Sequence, residues 1–173
     1  MEKGYIQVYT GDGKGKTTAS MGLVLRALGS GMKVYFGQFL KNHRYSEIKS
    51  FENFPGSSLR IRQFGTKRPV NEPMNEKDYD AALSGIEEAE REMLSGKWNL
   101  IVLDEFNIVA GSKLVEEGRL KAFIDKKPKG IELILTGRGA PDWLLKKADL
   151  VTEMRMIKHY YNNGVQARKG IES

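Results

Sequence analysis

Val8-Tyr9-Thr10-Gly11-Asp12-Gly13-Lys14-Gly15-Lys16-Thr17-Thr18 is the stretch that decides the fold. An apolar, β-rich run from Tyr5 to Tyr9 leads into it, and an Ala- and Leu-rich run from Ala19 to Leu28 leaves it. Strand, glycine loop, helix is the arrangement that cradles a phosphate. Glycines let the backbone curl until several N–H groups face one anion. The helix that follows adds the positive end of its dipole. Lys16 brings a mobile point charge for a phosphate oxygen, and the Thr17 hydroxyl is of the kind that binds Mg²⁺. Gly11, Asp12, Gly13, Lys14, Gly15 and Thr18 complete the expected nucleotide-binding loop. The pattern G-x-x-x-x-G-K-S/T would place a glycine at position 10, where this chain has Thr10; its first glycine, Gly11, shortens the spacing to Gly15 by one residue. A Gly/Lys-rich surface turn is the alternative, but a turn does not need the flanking strand and helix.

Working outward, a chain of 173 residues is long enough to bury a sizeable core and is read as one domain, 1–173. It has no cysteine, which removes disulfides, thiolate metal ligands and a cysteine nucleophile from consideration. The first residues, Met1-Glu2-Lys3-Gly4, lack the apolar core of a signal peptide, and no run approaches the ~18 apolar residues of a membrane span. A soluble cytoplasmic protein with no membrane partner is expected. The formal net charge of +6 invites a nucleic-acid partner. Several cations already have a polyphosphate to serve, the others are interspersed with acids, and no aromatic-plus-basic RNA signature is present, so no nucleic acid is expected.

The rest of the chain alternates strands and helices. After the first strand and a helix from Thr17 to Leu28, with Met21, Leu25 and Leu28 toward the sheet and Gly29-Ser30-Gly31 as its stop, Lys33 to Leu40 reads as the second strand. A helical crossover makes it parallel to the first, as its pair. Arg26, on the first helix, is a candidate ligand contact or a solvated charge. Lys41 to Tyr45 follow a strand's carboxyl end, where open α/β sheets bind ligands, and are candidate contacts or an exposed loop. A short helix fits Ser46–Phe51. Leu59 to Phe64 alternates like an edge strand with one wet face. Asn75 and Asp78 have the spacing of a capping box, opening a helix to about Leu94. Its apolar stripe is Tyr79, Ala82, Leu83, Ile86, Ala89 and Met93, and its run of glutamates reads as a solvated face. One or two short helices, broken near Gly118, fit Leu114 to Asp125. Pro141 opens another short helix, and Leu150 to Met154, continuing to Met156 or Ile157, is the last strand. The tail from Lys158 to Ser173 is polar, and its composition alone describes a frayed end.

Asn99-Leu100-Ile101-Val102-Leu103-Asp104-Glu105 is the second informative stretch. An apolar run ending in two acids is a buried central strand that delivers carboxylates to its C-terminal end, where, beside a phosphate loop, they hold Mg²⁺ directly or through its waters. Ile131 to Thr136 is another buried strand and ends in Gly137-Arg138-Gly139, whose guanidinium suits phosphate oxygens. These residues describe a P-loop nucleotide site with Mg²⁺ on one α/β sheet. They do not say which bond breaks.

Taken together, the shortened phosphate loop, the Ile101 to Glu105 acid strand, Thr136-Gly137-Arg138-Gly139, Ala148-Asp149-Leu150-Val151-Thr152-Glu153-Met154 and the tail from Lys158-His159-Tyr160-Tyr161 to Lys169-Gly170-Ile171-Glu172 resemble the P-loop ATP:corrinoid adenosyltransferases over nearly the whole chain. The resemblance implies an α/β, single P-loop (RecA-like) domain with a mostly parallel central sheet flanked by helices. It implies that ATP binds reversed in direction along the loop. The Co(I) of a reduced corrinoid attacks the ribose C5′, and triphosphate leaves, with no side-chain base required. Mg²⁺, or Mn²⁺ in its place, falls to Thr17 and Glu105 with Asp104 close by. Lys16, Thr17, Glu105 and Arg138 carry the catalytic role. Asp12 stands where the family often has a nucleotide-contacting Asn. Many members carry a Phe-Thr-Trp-Glu segment at the corrinoid pocket; here the region is Phe64-Gly65-Thr66-Lys67-Arg68-Pro69-Val70, without tryptophan, and Phe64 is the residue left to pack on the corrinoid. A tail covering the site, a homodimer and a reductase or flavoprotein supplying Co(I) complete what the resemblance implies. The competing readings are a P-loop small-molecule kinase or NTPase, which would release phosphate or a phosphorylated product, and a nucleotide-switched binding module, which would bind ATP without turnover.

Overall fold

The computed structural model describes residues 2–43, 45–67 and 72–172. Arg44 and Arg68–Val70, which figured in the expectations for two loops, lie outside the described residues. Six strands form one sheet: β1 (Ile6–Thr10), β2 (Val34–Phe39), β3 (Leu59–Phe64), β4 (Leu100–Asp104), β5 (Glu132–Thr136) and β6 (Leu150–Glu153). Their order is β3-β2-β4-β5-β1-β6, and every pairing is parallel. Every residue of β2 and β4 is buried, as expected for strands covered on both faces. Alternate side chains feed two cores. Val34, Phe36, Leu100, Val102 and Ile134 pack under α1 (Lys16–Gly29) and α2 (Ser46–Phe51). Tyr35, Phe39, Ile101, Leu103, Leu133 and Leu135 pack under α3 (Glu76–Leu94), α4 (Phe106–Gly111), α5 (Glu117–Asp125) and α6 (Asp142–Lys147).

The expected pairing of the first two strands is wrong: β4 and β5 lie between them. A crossover fixes direction and hand, not how many neighbours it skips. The consequence is functional, because β1 and β4 then flank β5 and aim the phosphate loop and the two acids at one crevice.

Several local readings hold. Asn75 and Asp78 form a reciprocal capping box at the start of α3. Others are corrected by packing. The buried stripe of α1 is Lys16, Ser20, Val24 and Ala27, while Leu25 is 56% exposed. The register is set by Lys16, which turns into the loop, so residues about one turn apart follow it inward. On α3, Tyr79 is exposed, and the glutamates are not simply solvated. Glu92 accepts Arg60 at 2.9 Å and Glu88 accepts Arg62 at 2.8 Å, so acids from α3 cover the arginine face of the edge strand β3. Glu90 holds Arg119 at 2.7 Å on α5. Gly118 does not break a helix; it sits in the first turn of α5, where a helix tolerates it best. The last strand stops at Glu153 because Met154 leaves the sheet to bond the phosphate loop. Its N–H donates to the Thr10 carbonyl at 2.9 Å, and its carbonyl accepts from Gly13 at 2.7 Å.

Candidate functional site

The phosphate loop is clamped from outside and folded onto itself from inside. Gly11 has φ +93° and Gly15, which caps α1, has φ +118°, both in the region that favours glycine. A Cβ on Gly13 would lie 2.7 Å from the Met154 carbonyl oxygen and 2.8 Å from the Arg155 carbonyl carbon. Only glycine lets the loop run this close to the chain leaving β6. Within the loop, the buried Lys16 Nζ donates to the carbonyls of Gly11 at 2.5 Å and Gly13 at 2.8 Å. Burial lowers this ammonium below its ordinary range. The Arg138 charge acts in the same direction, against Glu105, Asp12 and Asp104.

Across the crevice, Asp104 closes β4 and is fully buried. Its Oδ1 accepts from the hydroxyls of Thr17 at 2.9 Å and Thr136 at 2.6 Å; its Oδ2 accepts from Gln38 at 2.9 Å and Lys41 at 3.1 Å. Both oxygens are therefore occupied by protein donors. Burial pushes the Asp104 carboxyl up, but the Lys41 charge and these hydrogen bonds outweigh it and hold the group below its usual value. Glu105 differs. It caps α4 in a left-handed conformation, φ +61°, and its carboxylate reaches the cavity, 3.4 Å from Lys41.

A cavity of about 800 Å³ lies over the loop. This is the size range of small-molecule sites. Gly13, Lys14, Gly15, Lys16, Thr17 and Thr18 form its floor, with Glu105 and Arg138 on the wall. Met21, Tyr45 and Ile108 add apolar surface. Gly11 and Asp12 shape the loop without lining the cavity, and Asp104 stands behind Thr17. Two expected contacts are not brought here. Arg26 is exposed and away from the cavity, since ten helical residues carry it about 15 Å along the axis from Lys16. Phe64 is buried in the core, its ring 5.5 Å from that of Phe39.

The tail corrects its composition. His159, Gly170, Ile171 and Glu172 form part of the cavity wall. Lys14 Nζ donates to Tyr160 Oη at 3.0 Å, the Ile171 carbonyl at 3.2 Å and Glu172 Oε1 at 2.9 Å; Tyr160 and Arg168 also donate to Glu172. The hydrogen bonds to Tyr160 and Glu172 raise the Lys14 ammonium above its usual value, and those from Arg168, Tyr160 and Lys14 hold Glu172 well below the carboxylate range.

Sequence reasoning left Gln38 and Thr136 without a role and Lys41 undecided. Their signal was only position, at the carboxyl end of a strand, and the partner that defines them is distant in sequence. Among the described residues no three His, Cys, Asp or Glu side chains gather as a metal site. The donors present, the Thr17 hydroxyl and the cavity-facing Glu105 carboxylate beside a phosphate loop, suit Mg²⁺, which keeps several waters and takes phosphate oxygens.

Comparison with known proteins follows the same line. A sequence profile described as ATP:corrinoid adenosyltransferase BtuR/CobO/CobP matches residues 2–173. A corrinoid adenosyltransferase of Pseudomonas aeruginosa is 34% identical over 172 residues, 99% of this chain and 84% of that protein. One of Escherichia coli K12 is 30% identical over 171 residues, 99% of this chain and 86% of that protein. Among solved structures, a KaiC-like protein of Pyrococcus horikoshii aligns with a TM-score of 0.57 at 18% identity, covering 98% of this chain and 76% of that one. That likeness shows that the two chains share a fold.

Proposed function

The chain belongs to the ATP:corrinoid adenosyltransferase family, and from that membership we propose how its residues divide the work. The protein transfers the adenosyl group of ATP to a corrinoid in cobalamin biosynthesis. The main-chain N–H groups of residues 13–18 bind the polyphosphate. Lys16 leaves the Gly11 and Gly13 carbonyls to take a phosphate oxygen, and Arg138 takes another from the opposite wall. Thr17 and Glu105 hold Mg²⁺, with Asp104 orienting Thr17 from behind. The metal ion supplies charge neutralisation for the departing triphosphate. The ribose C5′ is left toward the open side of the cavity, where the Co(I) of the reduced corrinoid attacks it. The C5′–O5′ bond breaks as the cobalt–carbon bond forms, and the electron pair leaves on triphosphate.

The observation that carries this reading is the cavity itself. It gathers a glycine loop, the cations Lys14, Lys16, Lys41 and Arg138 and the carboxylate of Glu105 around one space, the equipment for stabilising a leaving triphosphate. Co(I) is nucleophilic enough to need no base. The unit of function proposed is residues 1–173, working in the cytoplasm where ATP is available. A homodimer is supported by the exposed Leu150 and Val151 on the edge strand β6. The Co(I) comes from a separate reductase or flavoprotein. The test is anaerobic incubation with ATP, Mg²⁺ and chemically reduced cobalamin. Triphosphate and the spectrum of a cobalt–carbon bond should appear together, and both should be lost in a folded Lys16→Ala protein. Orthophosphate release without a cobalt–carbon bond would favour the NTPase reading.

A further inference from the structure

Lys41 enters the cavity with its Nζ 3.1 Å from Asp104 Oδ2 and 3.4 Å from Glu105 Oε1. The backbone on both sides is shaped to hold it there. Leu40, the residue before it, has φ +58°, and Glu105 has φ +61°. Left-handed conformations are costly for such residues and persist where the surrounding structure requires them. Leu40 N–H donates to the Phe64 carbonyl at 3.0 Å, fixing the turn. A Cβ on Gly65 would lie 2.4 Å from the Lys41 nitrogen, so the exit of β3 is pressed against the Lys41 backbone. A loop lysine that only faced water would need none of this.

The oxygens Lys41 engages are also the ones a metal ion would want. Oδ1 of Asp104 is committed to Thr17 and Thr136, and Oδ2 to Gln38 and Lys41. Glu105, on the cavity wall, has Lys41 against it. A divalent cation on Glu105 would sit within a few ångströms of the ammonium, where like charges repel strongly in a partly buried site.

We propose that Lys41 is a resident counter-cation that competes with the divalent metal for the Asp104–Glu105 pair and is displaced when the metal arrives on the nucleotide. The freed ammonium, already in the cavity wall, then turns to the polyphosphate. Metal alone binds weakly because the lysine holds its place; metal carried by ATP binds because the phosphates offer the lysine a new partner. The inference rests on the reading of Glu105 as a metal ligand.

The experiment is a titration of the full chain with Mn²⁺ in the absence of nucleotide, reading free Mn²⁺ by electron paramagnetic resonance. The wild type is compared with Lys41→Met, Lys41→Arg and the double variant Lys41→Met/Glu105→Gln. Lys41→Met should bind Mn²⁺ about tenfold tighter or more, the scale set by removing one nearby positive charge. Lys41→Arg should bind like the wild type, and the double variant should lose the gain. Unchanged or weaker binding by a folded Lys41→Met overturns the proposal. A gain that survives in the double variant overturns instead the assignment of Glu105 as the ligand. Should Lys41→Met be unfolded without metal, far-ultraviolet circular dichroism against Mn²⁺ reads the same competition. Refolding at concentrations that leave the wild type unchanged supports it, and no refolding overturns it.

Discussion

The Thr17 hydroxyl donates to Asp104 Oδ1 at 2.9 Å, joining the phosphate loop to the acid strand across 87 positions of sequence. Asp104 thereby fixes the hydroxyl that faces the cavity, and Thr136 holds the same oxygen at 2.6 Å. Thr17→Ala should lower adenosyl transfer about 10²-fold or more, the range seen when one charge-stabilising group is removed. The fold should lose only about 1 kcal/mol, because Thr136 still satisfies the carboxylate. Turnover and thermal midpoint, measured together, check this, and Thr17→Ser should recover most of the rate.

Asp104 also sets an acid limit. Burial raises its carboxyl, yet the Lys41 charge and the hydrogen bonds from Thr136 and Gln38 leave it below its ordinary 3.8. As pH falls, the unfolded chain therefore takes up the proton first. The stability this group contributes is complete above about pH 4–5 and is lost as pH drops through the lower folded value. Asp104→Asn should flatten the acid limb of a urea-midpoint profile. It should cost about 3 kcal/mol at pH 7, the scale for breaking a buried ion pair. Parallel acid limbs in the two proteins would contradict this.

Gly13→Ala tests the clamp between the loop and the end of β6. The added methyl meets backbone atoms of Met154 and Arg155 at 2.7–2.9 Å, which have no side-chain freedom with which to yield. ATP affinity should fall at least tenfold, with a stability loss of about 1–3 kcal/mol typical of overpacking. Calorimetric titration with ATP and a melting curve measure the two effects.

Glu172 is the residue on which the tail's contacts converge, accepting from Lys14, Tyr160 and Arg168. Glu172→Ala should free the tail while leaving both cores intact. Limited proteolysis should cut between residues 155 and 172 several-fold faster than in the wild type, with no change in the rate of cutting within the sheet. An unchanged tail rate would show that the cluster does not hold it.

These residues also mark what a linear reading reaches. The loop from Gly11 to Thr18 and the strand ending in Asp104 and Glu105 are legible because each chemistry is written in adjacent residues with a local structural signature. Strand order is not legible, since right-handed crossovers permit several arrangements. Phe64 reads as a pocket residue by resemblance, but it shares the face of β3 that carries Arg60 and Arg62, which turns it under α3, where the core takes it. Lys41 reads as an ordinary loop cation because its carboxylate partners lie more than sixty residues away. The tail reads as frayed because its polar groups are satisfied by one another and by Lys14, a pattern that average polarity does not reveal.

The central claim is that carbon, not phosphorus, changes partner in this cavity. Its most direct test uses ATP carrying ¹³C at C5′ and ³²P at the terminal phosphate, incubated anaerobically with the protein, Mg²⁺ and cob(I)alamin. The expected result is a ¹³C resonance shifted to that of a cobalt-bound carbon, with all released radioactivity in triphosphate. Radioactivity in orthophosphate or on an acceptor, with the ¹³C still in a nucleotide, would contradict the account.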